Sequence, residues 1–276
     1  MGERLTPNTL AGLQIKRIEE QPPFFNMLFY GESGVGKTVL AGSASVVPEM
    51  SPVLFVDMEG GTASLRATYP DVHTVRVTTW KEMSELYEAL YHGGHGYKTV
   101  VLDSLSEIQK FSMYDIMMQL MQSAPDRDPD VPSMREWGKN LEQIRRFVRG
   151  FRDMPNMHTI FTALAQTEKN TRTGQQTTGP MLTGKMAKEV PAFLDIVAYY
   201  YVKDTSNAEG GTDRERLLLT TKTDEYIAKD RSGKLPLVVQ SPTMQSLYDL
   251  MTAGDKHKVE SSTVEADISE LVEKEK

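Results

Sequence analysis

FYGESGVGKTVLAG, Phe29 to Gly42, places Gly31, four residues, and then Gly36-Lys37-Thr38 in the spacing of a phosphate-binding loop. Glycine is needed at both ends because backbone N–H groups must turn inward around phosphate oxygens, where a Cβ would obstruct them. Lys37 would then reach the β- and γ-phosphates, and Thr38 would hold Mg²⁺ through its hydroxyl. A helix beginning at the same point would add its positive N-terminal dipole. The context agrees, with an apolar strand before the loop and a helical segment after it. The expected nucleotide-binding set is Gly31, Glu32, Ser33, Gly34, Val35, Gly36, Lys37, Thr38 and Val39.

Outward from the loop, short apolar runs alternate with helical segments. FFNMLFY precedes the loop; PVLFVDME, TVRV, KTVVLDS and HTIFTAL follow, separated by helices over Trp80 to Tyr91, from about Leu105, and near Trp137 to Phe151. This βαβα order predicts an α/β fold with a mainly parallel twisted sheet and helices on both faces. DIVAYYYV and RLLLTTK, joined by the hydrophilic KDTSNAEGGTDRE, predict a late antiparallel hairpin. Residues 1–23, ending at two prolines, are expected to form an N-terminal arm, residues 24–252 the core, and the acidic 253–276 a flexible tail.

The chain has 276 residues, 39% hydrophobic and 25% charged, enough for one large α/β domain with a substantial core. A formal net charge of −7 weighs mildly against a uniformly basic nucleic-acid surface and leaves room for a local basic groove. The absence of cysteine excludes disulfides, thiolate metal sites and cysteine nucleophiles. No apolar run approaches the ~18 residues of a membrane span and the charged start lacks a signal core, so no membrane partner and a cytoplasmic location are expected.

A triphosphate site also needs a carboxylate at a strand's end to position Mg²⁺. Asp57 and Asp103 both qualify. Asp103 is the better candidate, because it ends the unbroken run Val100-Val101-Leu102 and is followed by a hydroxyl, although Asp103-Ser104 could also cap the next helix. Glu59, two residues past Asp57 and beside Gly60-Gly61, could then polarise the attacking water as general base, unless it only ends a strand. Asp57-Met58-Glu59-Gly60 and Thr221-Lys222-Thr223-Asp224 also suit the motifs of GTPases. Gly31 to Asp57 is too short for the switch segment and extra strand of those proteins, and Asp57 to Asp224 is far too long.

The ordered set GESGVGKT, LFVDMEGG, TVVLDS and HTIFTALAQ resembles the RecA-like ATPase core. It is especially similar to the short phage and prophage AAA-domain ATPases of the minimal RecA/RadA-type recombinase and single-strand annealing group, over roughly Phe24 to Pro236. The resemblance implies ATP and Mg²⁺ as cofactors, with Lys37 and Thr38 as phosphate and magnesium ligands. Glu59 becomes the catalytic glutamate, Asp103 the second acidic motif, and Gln166, ahead of Thr162, the γ-phosphate sensor. In filaments of this type a neighbouring subunit supplies cations, and Lys222, Lys229 and Arg231 occupy a comparable late position.

The same resemblance places single-stranded DNA at two mobile loops, matched here by QSAPDRDPDVPSMREWGKN and TEKNTRTGQQTTGPMLTGKMAK. The second carries Lys169, Arg172, Lys185 and Lys188 to neutralise phosphates, with Thr, Gln and Gly for adaptable contacts. In the first, Asp126, Asp128 and Asp130 would repel a backbone, and Trp137 is a stacking residue or a core residue. Arg145, Arg149 and Arg152 beside the stripe Leu141, Ile144, Val148 and Phe151 read as a solvated edge before a phosphate ridge. His92 and His95 read as loop residues before a metal site. The expected function is an ATP-dependent single-stranded-DNA-binding recombinase or annealing protein, assembled with itself as a filament or ring and working beside a single-strand-binding protein. The competing expectation is a nucleotide-driven switch or motor on a protein partner, such as a helicase loader or KaiC-like regulator.

Overall fold

The computed structural model describes residues 9–10, 13–15, 24–206 and 212–253. The expected flexible tail, apart from Ala253, and most of the expected arm lie outside them; within the arm, Thr9–Leu10 and Leu13–Gln14 form a small antiparallel ladder. The core runs β1 (Asn26–Gly31), α1 (Lys37–Gly42), β2 (Val53–Asp57), α2 (Ala63–Thr68), β3 (His73–Arg76), α3 (Trp80–Tyr91), β4 (Thr99–Asp103), α4 (Leu105–Ser123), α5 (Met134–Arg152) and β5 (His158–Lys169). It continues through β6 (Gln176–Pro180), α6 (Met186–Phe193), β7 (Ile196–Ser206), β8 (Thr212–Leu219), β9 (Lys229–Asp230), β10 (Val238–Gln240) and α7 (Met244–Thr252).

The main sheet has the order β10-β8-β7-β1-β5-β4-β2-β3, with β9 on β7 and β6 on β5. Strands β7, β1, β5, β4, β2 and β3 are mutually parallel; β8, β9 and β10 add antiparallel pairs. Every residue of β1, β2 and β4 is buried, which is why these segments read as unbroken apolar runs rather than alternating ones. One apolar cluster, including Met83, Ile108, Ile144, Phe151 and Val190, packs α3, α4, α5 and α6 on one face. A second, including Leu40, Leu65, Leu247 and Met251, packs α1, α2 and α7 on the other. The expected α/β sheet with helices on both faces and a late antiparallel hairpin is therefore the observed fold.

Local chemistry sets several element boundaries. Capping boxes start α3 at Thr79 with Glu82 and α5 at Ser133 with Glu136. The Ser133 hydroxyl and backbone N–H hold the Glu136 carboxyl at a pKa of about 2. The arginine edge of α5 is tied down inside the chain: Arg145 pairs with Glu142 and Glu189, Arg152 with Asp153, and Arg149 lies 4.4 Å over the Phe193 ring. In the loop after α3, the ring nitrogens of His95 are engaged by the Leu90 carbonyl and the Tyr97 N–H.

His158 opens β5 beneath Phe24, Phe25 and Tyr248, and its Nδ1 accepts the Phe25 N–H at 3.1 Å. Burial, reinforced by Lys98, lowers its pKa from 6.5 to about 4. The folded state holds this imidazole neutral while the unfolded chain takes up a proton first, so stability falls as pH drops from 6.5 toward 4. His158→Gln keeps an acceptor without a titrating group. Between pH 7 and pH 5 the parent should lose about 2 kcal/mol more than this variant in urea unfolding, and parallel pH profiles would refute the assignment.

Candidate nucleotide site

The loop after β1 and the ends of β2 and β4 converge on one cluster. Parallel pairing aligns Asp57 with Asp103 across β2 and β4, while β5 lies between β4 and β1. Lys37 is buried, and its Nζ donates to the carbonyls of Gly31 at 2.9 Å and Glu32 at 2.7 Å. Burial lowers the Lys37 pKa, opposed by the charges of Asp103, Glu59 and Glu32. Asp103 is pushed the other way, its pKa raised by burial against the lowering effect of two hydroxyl donors, Thr162 and Thr38. Both groups are thus drawn toward neutrality by one cause, loss of water, and a bound phosphate chain with its cation would replace that solvation.

Thr38 Oγ1 donates to Asp103 Oδ2 at 2.8 Å, and Thr162 Oγ1 donates to Asp103 Oδ1. A hydroxyl and a carboxylate side by side are the hard oxygen donors Mg²⁺ prefers, with nucleotide phosphates supplying further ligands, so Thr38 and Asp103 fit that ion. Asp57, the other carboxylate weighed for this role, is engaged in a turn. Its Oδ1 accepts the N–H groups of Glu59, Gly60 and Gly61 at 3.2, 2.7 and 3.3 Å, and its Oδ2 pairs with Arg76 at 3.1 Å. That turn projects Glu59 beside the end of β4, where Ser104 Oγ donates to Glu59 Oε1. Ser104 therefore stands at the N-cap position of α4 without capping it through its side chain.

The remaining sequence-derived candidates lie farther out. Gln166, on the extension of β5, donates to the Leu182 carbonyl at 3.3 Å and to Glu168 at 3.1 Å. The segment expected to be a mobile loop is a β-hairpin: β5 continues to Lys169, and β6 returns from Gln176 in antiparallel register. Asn170 closes its turn, exchanging backbone hydrogen bonds with Gly174 and Gln175, and Asn170 Oδ1 accepts the N–H groups of Arg172 and Thr173. Arg172 is thus exposed at the hairpin tip. Lys169 and Lys188 line one cavity of about 170 Å³, while Lys185 is exposed at the start of α6.

Lys229 and Arg231, expected as cations for a neighbouring subunit's site, make contacts within their own chain, Arg231 while remaining exposed. Lys229 Nζ donates to the carbonyls of Pro191, Ala192 and Leu194, because the end of α6 leaves carbonyls that need donors, and Arg231 pairs with the Asp195 carboxylate at 2.8 Å. Lys222 is exposed in the loop after β8. Trp137 borders an apolar groove of about 620 Å³ with Met113, Met117 and Met118.

A phosphate-loop sequence on the central strand, with one strand inserted between it and the strand that ends at Asp103, makes up the mainly parallel α/β sheet expected of a RecA-like core. Residues 24–232 match the family described as an AAA domain, and the chain belongs to that family. Similar solved structures include the flagellar accessory protein FlaH from Methanocaldococcus jannaschii, at 12% identity and TM-score 0.37, covering 70% of this chain and 76% of that one. Another is a prototypical ATPase from the type III secretion system of pathogenic bacteria, at 13% identity and TM-score 0.40, covering 63% of this chain and 51% of that one. No curated protein matches significantly. Among the described residues no helix is long and apolar enough to cross a membrane.

Sequence reasoning passed over two contacts of this site. Thr162 was weighed as a sensor, yet its hydroxyl is engaged by Asp103; only the strand register, which sets Phe161 beside Leu102, puts it there. Arg216 on β8 donates from Nε to the Val35 carbonyl of the phosphate loop at 3.1 Å, a contact across 181 positions with no local signature.

Proposed function

We propose that the chain is an ATP-dependent, sequence-nonspecific single-stranded-DNA-binding protein of the phage recombinase or annealing type, working as a filament or ring with other copies of itself. The observation that carries this reading is the cationic hairpin. Strand β5 runs from Thr162, whose hydroxyl holds Asp103, to Lys169, and Arg172 and Lys188 lie at and beside the hairpin it begins. The Tyr30 hydroxyl, one residue before Gly31, donates to the carbonyls of Thr178 and Ile227, tying the returning arm to the phosphate-loop strand. A phosphate backbone on the hairpin and a nucleotide on the loop would therefore act on shared strands.

In this reading Glu59, oriented by Ser104, accepts the proton of the attacking water, and Lys37 neutralises charge on the transferring phosphoryl group. Mg²⁺, when bound, supplies further positive charge at the phosphates. Gln166 is the sensor candidate, and Lys222 is the late cation whose side chain is not engaged by α6.

Hydrolysis of ATP should accelerate when single-stranded DNA is added, with Lys37→Ala as the blank. DNA affinity should fall steeply with salt, and removing Lys169, Arg172 and Lys188 together should reduce the slope of log K against log salt by about 2. ATP hydrolysis unaffected by DNA, with no DNA retained at low salt, would sink the proposal. A switch acting on a protein partner is the second reading. It is favoured by the groove at Trp137 together with the exposed Tyr114 (68%), Val131 (61%) and Met134 (86%), and it predicts partner binding with little salt dependence.

A further inference from the structure

The phosphate loop has two flanks. On one lie β5, β4 and β2, which bring Thr162, Asp103 and Glu59 toward Lys37 and Thr38 and so mark the γ-phosphate and metal end. On the other lie β7 and β8, and Arg216 on β8 reaches back over β7 to the loop. A Cβ placed on Gly36 would lie 3.2 Å from Arg216 Nε and 3.7 Å from both Arg216 Cδ and the Tyr200 ring, so the arginine stem and the tyrosine ring border the loop at Gly36. Arg216 Nε is anchored on the Val35 carbonyl, whereas its two terminal nitrogens have no hydrogen-bond partner among the described residues, and the side chain is exposed.

A triphosphate whose γ end sat on the Asp103 flank would leave the loop on the opposite one, and a diphosphate seated the same way would share that nucleoside end. There it meets a guanidinium already oriented by one hydrogen bond and holding two free N–H₂ groups, the fork geometry that suits a phosphate. We propose that Arg216 is a nucleotide-binding residue of the same chain, contacting the phosphate nearest the nucleoside in both di- and triphosphates. This rests on the nucleotide-binding reading of the phosphate loop. It differs from Lys37 in place and in discrimination, since a contact at the nucleoside end is shared by product and substrate. The Gly36 position also acquires a second constraint, because its φ of 106° and the Arg216 side chain each disfavour a Cβ.

Calorimetric titration of the full chain with ADP and with ATP, in Mg²⁺, tests the assignment. Arg216→Gln should weaken both ligands alike, on the order of ten- to a hundredfold, the size of a lost charged hydrogen bond. Arg216→Lys, which retains the charge but not the fork, should recover part of that loss. Arg216→Gln binding both ligands like the parent would overturn the assignment. So would a loss confined to ATP, which would move the contact to the γ end. Equal damage from Arg216→Lys and Arg216→Gln would show that the residue acts only by shaping the loop through Val35, and the assignment would fall. A parent chain that binds neither ligand refutes the nucleotide reading itself, a separate outcome.

Discussion

Glu59→Gln should lower the rate of ATP hydrolysis by about 10³-fold while leaving ATP affinity close to that of the parent. The amide retains the carbonyl oxygen that accepts the Ser104 hydroxyl, and the turn that projects residue 59 is built by Asp57 from backbone N–H groups, so the geometry survives the substitution. What disappears is the carboxylate able to take a proton from water. Single-turnover hydrolysis with a parallel titration of ATP separates the two quantities. A single-turnover rate within a few-fold of the parent would remove Glu59 from the chemistry and leave Asp103 as the only acid of the cluster with a direct hydroxyl contact to the loop. Loss of ATP affinity in step with rate would instead make residue 59 a binding group.

Gly31→Ala should destabilise the fold by about 3 kcal/mol or more, measured as a lower urea midpoint with an unchanged slope. The added Cβ would run into the backbone carbonyl of Tyr200 on β7, with the Tyr200 carbonyl carbon at 3.2 Å and Val35 Cγ2 at 3.3 Å. Both strands are buried, and β1 is pinned on its other edge by β5, so neither backbone can withdraw without disturbing the pairing next door. Gly34→Ala is the contrast. Its φ is 81° but nothing lies within 4 Å of the added atom, so its cost is the left-handed strain alone, about 1 to 2 kcal/mol. If the two substitutions cost the same, loop conformation rather than strand packing governs Gly31.

The same glycine shows how far the sequence could be read. The phosphate-loop spacing marks Gly31 as required, on the ground that a Cβ would block the path of phosphates. The fold supplies a different reason, a neighbouring strand whose carbonyl fills the space. Asp57 and Asp103 make the parallel case. As residues they are alike, each ending an apolar strand, and the preference for Asp103 rests on its unbroken apolar run and the hydroxyl of Ser104 that follows it. The structure separates them by partners, since backbone N–H groups and Arg76 surround one and the hydroxyls of Thr38 and Thr162 the other.

By itself the sequence determined the phosphate loop, the succession of buried strands and the helices between them. These are local matters: glycine conformational freedom, apolar runs long enough for a strand covered on both faces, and capping boxes such as Thr79 with Glu82. It also placed Glu59 and Asp103 at strand ends. The β5–β6 hairpin escaped it because the segment is polar and its pairing continues a strand beyond the apolar run that revealed it. The engagement of Lys229 is equally hidden in the sequence, because the carbonyls it satisfies lie at the end of α6, more than thirty positions earlier. The order of strands, and with it the approach of Thr162 to Asp103 and of Arg216 to Val35, was decided only by the tertiary structure, because hydrogen bonds between distant strands leave no periodicity in the chain that makes them.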